Sequence, residues 1–117
     1  MKSIMLFSLT ILVLSANVSA RDLTGKEKQV VIKAVKERLK DPDSAKFKFG
    51  DYKGDFVYCA QVNAKNSYGG YTGFVPFQVG MLEKTGPIKN VFLFGIGDAA
   101  QESAISISCS REGYDFQ

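Results

Sequence analysis

The amino-acid sequence predicts an α+β fold: one N-terminal amphipathic helix packed on an antiparallel meander of four to five strands, held by one disulfide. Three observations carry this. Residues 25–40 repeat their apolar positions at helical spacing behind a capping sequence. The later apolar stretches alternate at period two between short turns. Two cysteines, Cys59 and Cys109, lie far apart in a chain whose first twenty residues read as an export signal.

The export signal sets the compartment. Met1-Lys2 is a short basic start, Ile4 to Leu14 is an apolar run broken only by Ser8 and Thr10, and Val18-Ser19-Ala20 is a small-residue cleavage site. The run is shorter than the roughly 20 residues of a spanning helix. Residues 1–20 are therefore expected to be a secretory signal peptide and 21–117 a single α+β domain, periplasmic or secreted. No cysteine beside the cleavage site offers a lipid attachment point, and no later apolar stretch is long enough to cross a membrane. The 97 residues after Ala20 bury only a thin core, so a covalent staple helps. In an oxidising compartment Cys59 and Cys109 most simply pair, contributing roughly 3–5 kcal/mol through loop closure. Two free thiols or an intermolecular bridge are the alternatives.

Each element has its own signal. Thr24-Gly25-Lys26-Glu27 is a capping box, and Val31, Ile32, Val35 and Leu39 follow as one apolar stripe. Pro42 pushes Asp41 out of helical geometry, so the helix spans 25–40. Phe47 and Phe49 alternate with Lys46 and Lys48, a half-buried first strand. Gly50 to Gly54 is a turn, and Asp55 to Asn63 the second strand. Thr72 to Leu82 is the third, with Val75, Phe77, Val79 and Met81 on one face. Pro76 inside it requires an edge position or a bulge. Thr85-Gly86-Pro87 turns the chain into a fourth strand, Val91 to Phe94. Gly95 to Glu102 is loop, with one helical turn capped by Asp98. Ser103 to Ser110 is the fifth strand, with Ile105, Ile107 and Cys109 on one face. That reading creates a conflict in the second strand. Cys59 must point toward the disulfide, which turns Phe56 and Tyr58 the other way. Either that strand is covered on both faces or two aromatics meet solvent.

Composition removes several chemistries. The chain has no histidine, so the commonest general base and transition-metal ligand are missing, and Ser-His-Asp or Cys-His catalysis is impossible. With both cysteines bonded, no thiolate remains for catalysis or zinc. There is no phosphate-binding loop and no dinucleotide fingerprint. The carboxylate pairs Asp41/Asp43 and Asp51/Asp55 could do acid–base work, but each sits where a turn favours Asp for its local hydrogen bonds. No cofactor, catalytic residue or metal ligand is assigned. Charge is uneven: Lys26 to Lys40 holds six basic and two acidic residues, and Asp98 to Gln117 one basic and four acidic. A solvated helix face explains the first cluster, as does a basic face for an acidic partner. Nucleic acid is not an expected partner for so weakly charged an exported domain.

The segment that stands out is the connection between the second and third strands, 63–74. It is longer than a hairpin needs. Asn63, Lys65, Asn66 and Ser67 offer donors and acceptors, Gly69 and Gly70 permit positive φ, and Tyr68 and Tyr71 offer flat amphipathic surface. Tyr, Ser, Gly and Asn are the residue types of adaptable recognition loops. The same composition suits a structural loop whose polar side chains tie up its own backbone. Asn63, Lys65, Asn66, Ser67, Tyr68, Gly69, Gly70 and Tyr71 are the candidate binding residues.

Two stretches, Leu39-Lys40-Asp41-Pro42-Asp43-Ser44-Ala45-Lys46-Phe47 and the run from Tyr58-Cys59-Ala60-Gln61-Val62 through Asn63 to Phe74, resemble a family of small exported bacterial proteins. Many of its members are lipoproteins or prophage-linked, and none has an assigned activity. The resemblance covers about residues 30–80. Family members often carry Gly at the position of Ala60 and a basic residue at that of Val75, and the lipoprotein members carry an acylated cysteine that this chain lacks. The resemblance implies an exported bacterial origin and no catalytic residues. The reading that follows is a non-enzymatic periplasmic binding protein for a protein or cell-envelope partner, of inhibitor, immunity or phage-exclusion type. A small carboxylate-dependent hydrolase and a structural accessory subunit of an envelope complex are the alternatives.

Overall fold

A computed structural model describes residues 20–83, 85–98 and 101–116. The signal-peptide reading rests on residues 1–20, all but Ala20 outside that range. The first helix, α1, spans Gly25–Lys36. Its capping box closes both ways: Thr24 Oγ1 accepts from the Glu27 amide at 3.2 Å, and Glu27 Oε1 accepts from the Thr24 amide at 2.9 Å. α1 is shorter than the expected 25–40. Arg38 and Leu39 donate to Val35 and Lys36, three residues back, so the chain tightens before Pro42 rather than continuing as α-helix. Val31 and Val35 are fully buried, while Leu39 is half-buried.

Four strands follow: β1 Lys46–Lys48, β2 Val57–Asn63, β3 Val75–Met81 and β4 Val91–Ile96. They form one antiparallel sheet in the order β1-β2-β3-β4. β3 is central, and Pro76 is tolerated by position. Its carbonyl accepts from Gly97, just past the end of β4 at Ile96, so its missing N–H falls where the ladder stops. The bulge in this pairing lies further along, between Gln78 and Val79, opposite Leu93 to Gly95.

The expected fifth strand is a helix. Residues Glu102–Arg111 form α2, so the chain carries a C-terminal helix as well. The turn at Asp98 leads into it, since the Asp98 carbonyl accepts the amides of Gln101 and Glu102. The Ile105/Ile107/Cys109 alternation is real but does not set the structure. Ile105 and Cys109, four residues apart, face the sheet, and Ile107 points to solvent at 55% exposure. Gly113, at φ 88°, ends the helix in a Schellman motif. Its amide reaches the Ser110 carbonyl and that of Tyr114 the Cys109 carbonyl.

With a helix in that place, the conflict in β2 is resolved for Tyr58, while Phe56, just before the strand, lies on the other face and stays 55% exposed. Register places Tyr58, Ala60 and Val62 on one face with Val79, Phe77 and Val75, and Cys59 on the other with Gln78. The disulfide Cys59–Cys109, Cα atoms 5.9 Å apart, and a 2.8 Å bond from Gln78 Nε2 to Ser108 Oγ fasten α2 to the second face. α1 covers the first. β2 is thus buried on both sides, and Tyr58 is enclosed, its hydroxyl donating to the Gly50 carbonyl at 2.7 Å. Its ring meets that of Tyr114 edge to face at 5.6 Å, so the segment after α2 does fold back over β2. Burial pushes the Tyr58 phenol up, out of reach of ordinary titration.

One buried carboxylate ties the start of the domain together. Glu27, 2% exposed, accepts both arms of the Arg21 guanidinium at 2.7 and 2.8 Å and the Ile88 amide at 3.0 Å, besides its capping bond. Arg21 in turn pairs its backbone with Tyr52. The Arg21 hydrogen bonds, aided by the amides of Thr24 and Ile88, hold the Glu27 carboxyl at about 2 despite the opposing effect of burial.

Candidate functional site

The 63–74 connection is an ordered excursion. Lys65 and Tyr71 bridge across its neck, and residues 66–70 form the tip. Asn66 organises that tip: its side-chain oxygen accepts the amides of Tyr68 and Gly70 at 2.9 and 3.2 Å, while its backbone bonds to Gly69 and Gly70. Gly69, at φ 79°, supplies the left-handed turn. Asn63 does the same work at the base, accepting from the Gly73 amide at 3.2 Å. Both asparagines therefore serve the loop itself. Ser67 and Gly70 are exposed beside them, and Tyr68 stands at the apex with 96% of its surface exposed.

The two tyrosines separate in role. The Tyr71 hydroxyl donates to the Ser44 carbonyl at 2.8 Å, and its ring lies beneath the ammonium groups of Lys46 at 4.8 Å and Lys65 at 5.7 Å. Ser44 Oγ also accepts the Lys65 amide at 2.9 Å while donating to the Asp41 carbonyl. The stretches 39–47 and 58–74, remote in sequence, thus meet at Ser44 as one structural unit. Lys48 extends the pattern, its ammonium 4.1 Å from the centre of the Phe74 ring.

Beside the loop a cleft of about 580 Å³ opens at the end of the sheet under the C-terminus of α1. Val75 and Ile96 line it with half-buried apolar surface over the buried Val62. Arg38, Lys40 and Lys65 line it too, as do Asp98 and Glu102 from the end of β4 and the start of α2. The loop residues Asn66, Ser67 and Phe74 complete it. No residue of α1 itself lines the cleft; Arg38, Leu39 and Lys40 come from the turn that follows it. The two acidic pairs lie elsewhere: Asp41 and Asp43 at the Pro42–Ser44 turn, Asp51 and Asp55 in the loop before β2, where Asp55 caps the Phe56 amide. Among the described residues no group of three His, Cys, Asp or Glu converges as metal ligands, and no helix is long and apolar enough to cross a membrane.

A second feature comes from the tertiary structure. Phe56, Phe92 and Phe94 gather over Gly80 on the face that α2 only partly covers. Their rings meet edge to face at 6.0 Å (Phe56–Phe94) and 5.4 Å (Phe92–Phe94), yet each stays 45–55% exposed. A Cβ at Gly80 would stand 2.8 Å from the Phe94 ring and 3.0 Å from the Phe56 ring, so those rings would have to shift to admit it. The sequence points to Phe56 as an unplaced aromatic, but Phe92 and Phe94 sit in a strand that reads as ordinary. Comparison with protein-family models, with curated proteins and with solved structures returns no match.

Proposed function

We propose that the protein is a non-enzymatic extracytoplasmic binding module that engages a protein or envelope partner through the 63–74 loop and the adjoining cleft. The observation that carries this is Tyr68: an aromatic side chain almost wholly in solvent, on a tip whose backbone is braced by Asn66. Exposing an aromatic forfeits burial, and bracing the tip beforehand lowers the ordering cost of binding. Lys46, Lys48 and Lys65 around Tyr71 and Phe74 favour an anionic counterpart. The Cys59–Cys109 disulfide fits an oxidising compartment, as does the resemblance to small exported bacterial proteins.

The test is site-specific photo-crosslinking in the envelope. A benzophenone side chain replaces Tyr68, and a control replaces the exposed Ser106 on α2. The expected result is a discrete adduct from position 68 that is absent from position 106 and weakened by Lys65→Ala. Identical products from the two positions, or none from position 68, would overturn the reading.

A second reading, an accessory subunit of an envelope complex, is favoured by the Phe56/Phe92/Phe94 patch, which lies beside the edge strand β4. Sedimentation that shows self-association lost in Phe92→Glu would support it; a monomer at every concentration would dismiss assembly through this patch with a second copy.

A further inference from the structure

Resting on the recognition reading above, we propose that the cleft takes a short amphoteric peptide. The peptide carboxylate would lie against Arg38, Lys40 and Lys65, its ammonium against Glu102, and an aliphatic side chain on Val75 and Ile96. Arg38 and Lys40 in the turn after α1, with Lys65 from the loop, line the same hollow as Asp98 and Glu102. Among the described residues none of Arg38, Lys40, Lys65 and Glu102 has an ion-pair partner within 4.0 Å. The three cations and the Glu102 carboxylate thus line one cleft without pairing with one another. A simple anion would meet both attraction and repulsion in this lining, as would a simple cation. A ligand carrying both charges matches both.

The apolar lining selects the rest of the ligand. Val62 and Val75 are cross-strand partners, and Ile96 pairs with Phe77 on the same face. Val75 and Ile96, both half-buried, make an apolar shelf over the buried Val62, where an aliphatic side chain loses water without displacing protein. Ser67 and Thr72 at the loop side supply hydroxyls within the lining for a peptide backbone. The volume of about 580 Å³ lies within the roughly 300–1,000 Å³ of sites that take small molecules. The fold holds the lining in place: the disulfide fixes α2, and Ser44 fixes the loop.

The test titrates the purified oxidised protein with Leu-Ala-Leu bearing free termini, with its N-acetylated form and with its C-terminal amide, followed by amide chemical shifts and calorimetry. The expected result is shifts confined to the cleft residues and affinity about tenfold weaker for each blocked form. Glu102→Gln should erase the penalty of acetylation and leave that of amidation. Arg38→Gln with Lys40→Gln should do the reverse. All three positions are exposed, so the variants keep the fold, which circular dichroism checks. No binding at millimolar peptide, shifts outside the cleft, or equal affinity for blocked and free forms would overturn the proposal. A Tyr68 crosslink to a partner in the absence of peptide binding would reject the peptide and leave the recognition reading intact. Absence of both would reject the two together.

Discussion

Replacing Glu27 by glutamine should destabilise the protein at neutral pH and flatten its response to acid. The carboxylate accepts four hydrogen bonds, two of them from the Arg21 guanidinium, in a position 2% exposed. Its pKa is lowered from 4.5 to about 2. Because the folded value is depressed, the linked stability is fully present above about pH 4.5 and is lost as pH falls through about 2. At about 1.4 kcal/mol per pKa unit the shift corresponds to about 3 kcal/mol. The Arg21 side chain is 43% exposed, and solvent screening reduces this to roughly 2–3 kcal/mol. Glutamine has the same shape but presents a donor where the carboxylate presents an acceptor. It therefore also opposes an N–H to an N–H and leaves Arg21 without its counter-charge, for a total cost of about 2–4 kcal/mol at pH 7. Denaturant unfolding of wild type and Glu27→Gln, repeated from pH 7 to pH 2, measures both effects. The difference between the two curves isolates the contribution of Glu27. The gap should be largest at neutral pH and close progressively below about pH 4.5. Parallel curves over that range, or a variant within about 0.5 kcal/mol of wild type at pH 7, would refute the reasoning.

Three further outcomes are expected. Cys59→Ser with Cys109→Ser should cost about 4 kcal/mol in chemical denaturation, since the bond spans 50 residues. An unchanged midpoint would show that the closure contributes nothing. Tyr68→Ala should leave the thermal midpoint unchanged, while Tyr71→Phe, which removes the bond to the Ser44 carbonyl, should cost about 1 kcal/mol; the reverse order would contradict the division of roles in the loop. Gly97→Ala should destabilise by about 1–3 kcal/mol, because its Cβ would stand 3.0 Å from the Pro76 carbonyl oxygen and 2.9 Å from the Pro76 ring, which cannot swing aside. Wild-type stability in that variant would mean that the end of β4 relaxes freely.

Local signals account for the elements that are legible in the sequence. A capping box and a stripe at 31 and 35 are satisfied within one helix, so α1 is legible apart from its last turn. Short apolar runs between turn residues mark all four strands, even where both faces are buried, as in β3. The loop is legible as an excursion and its members by name. Which of them serve the backbone and which meet solvent is not, because that depends on Ser44, a residue about twenty positions away. The cleft is invisible in the sequence, since Arg38, Phe74, Ile96 and Glu102 come together only in the folded chain.

Residues 103–110 show where local patterning misleads. Ser-Ile-Ser-Cys alternation carries the period of a strand, and β-branched residues support it. The same residues at spacing four, 105 and 109, also define a helical face, flanked by Glu102 in the first turn, Arg111 in the last and Gly113 as the stop. Both patterns are present, and tertiary structure chose between them. The sheet already had a helix on its first face, and its second face, bearing Cys59, Gln78 and Gly95, needed cover of its own. A helix could bring Cys109 to Cys59, Ser108 to Gln78 and Ile105 onto Gly95 at once. The sequence by itself therefore determined the first helix and the four strands, and made the Cys59–Cys109 bond the simplest expectation, because each follows from contacts among near neighbours or from simple counting. Only the tertiary structure decided that the sheet is covered on both faces, that three phenylalanines stay outside that cover, and that charges of both signs face one cleft, because each requires groups distant in sequence to share one place in space.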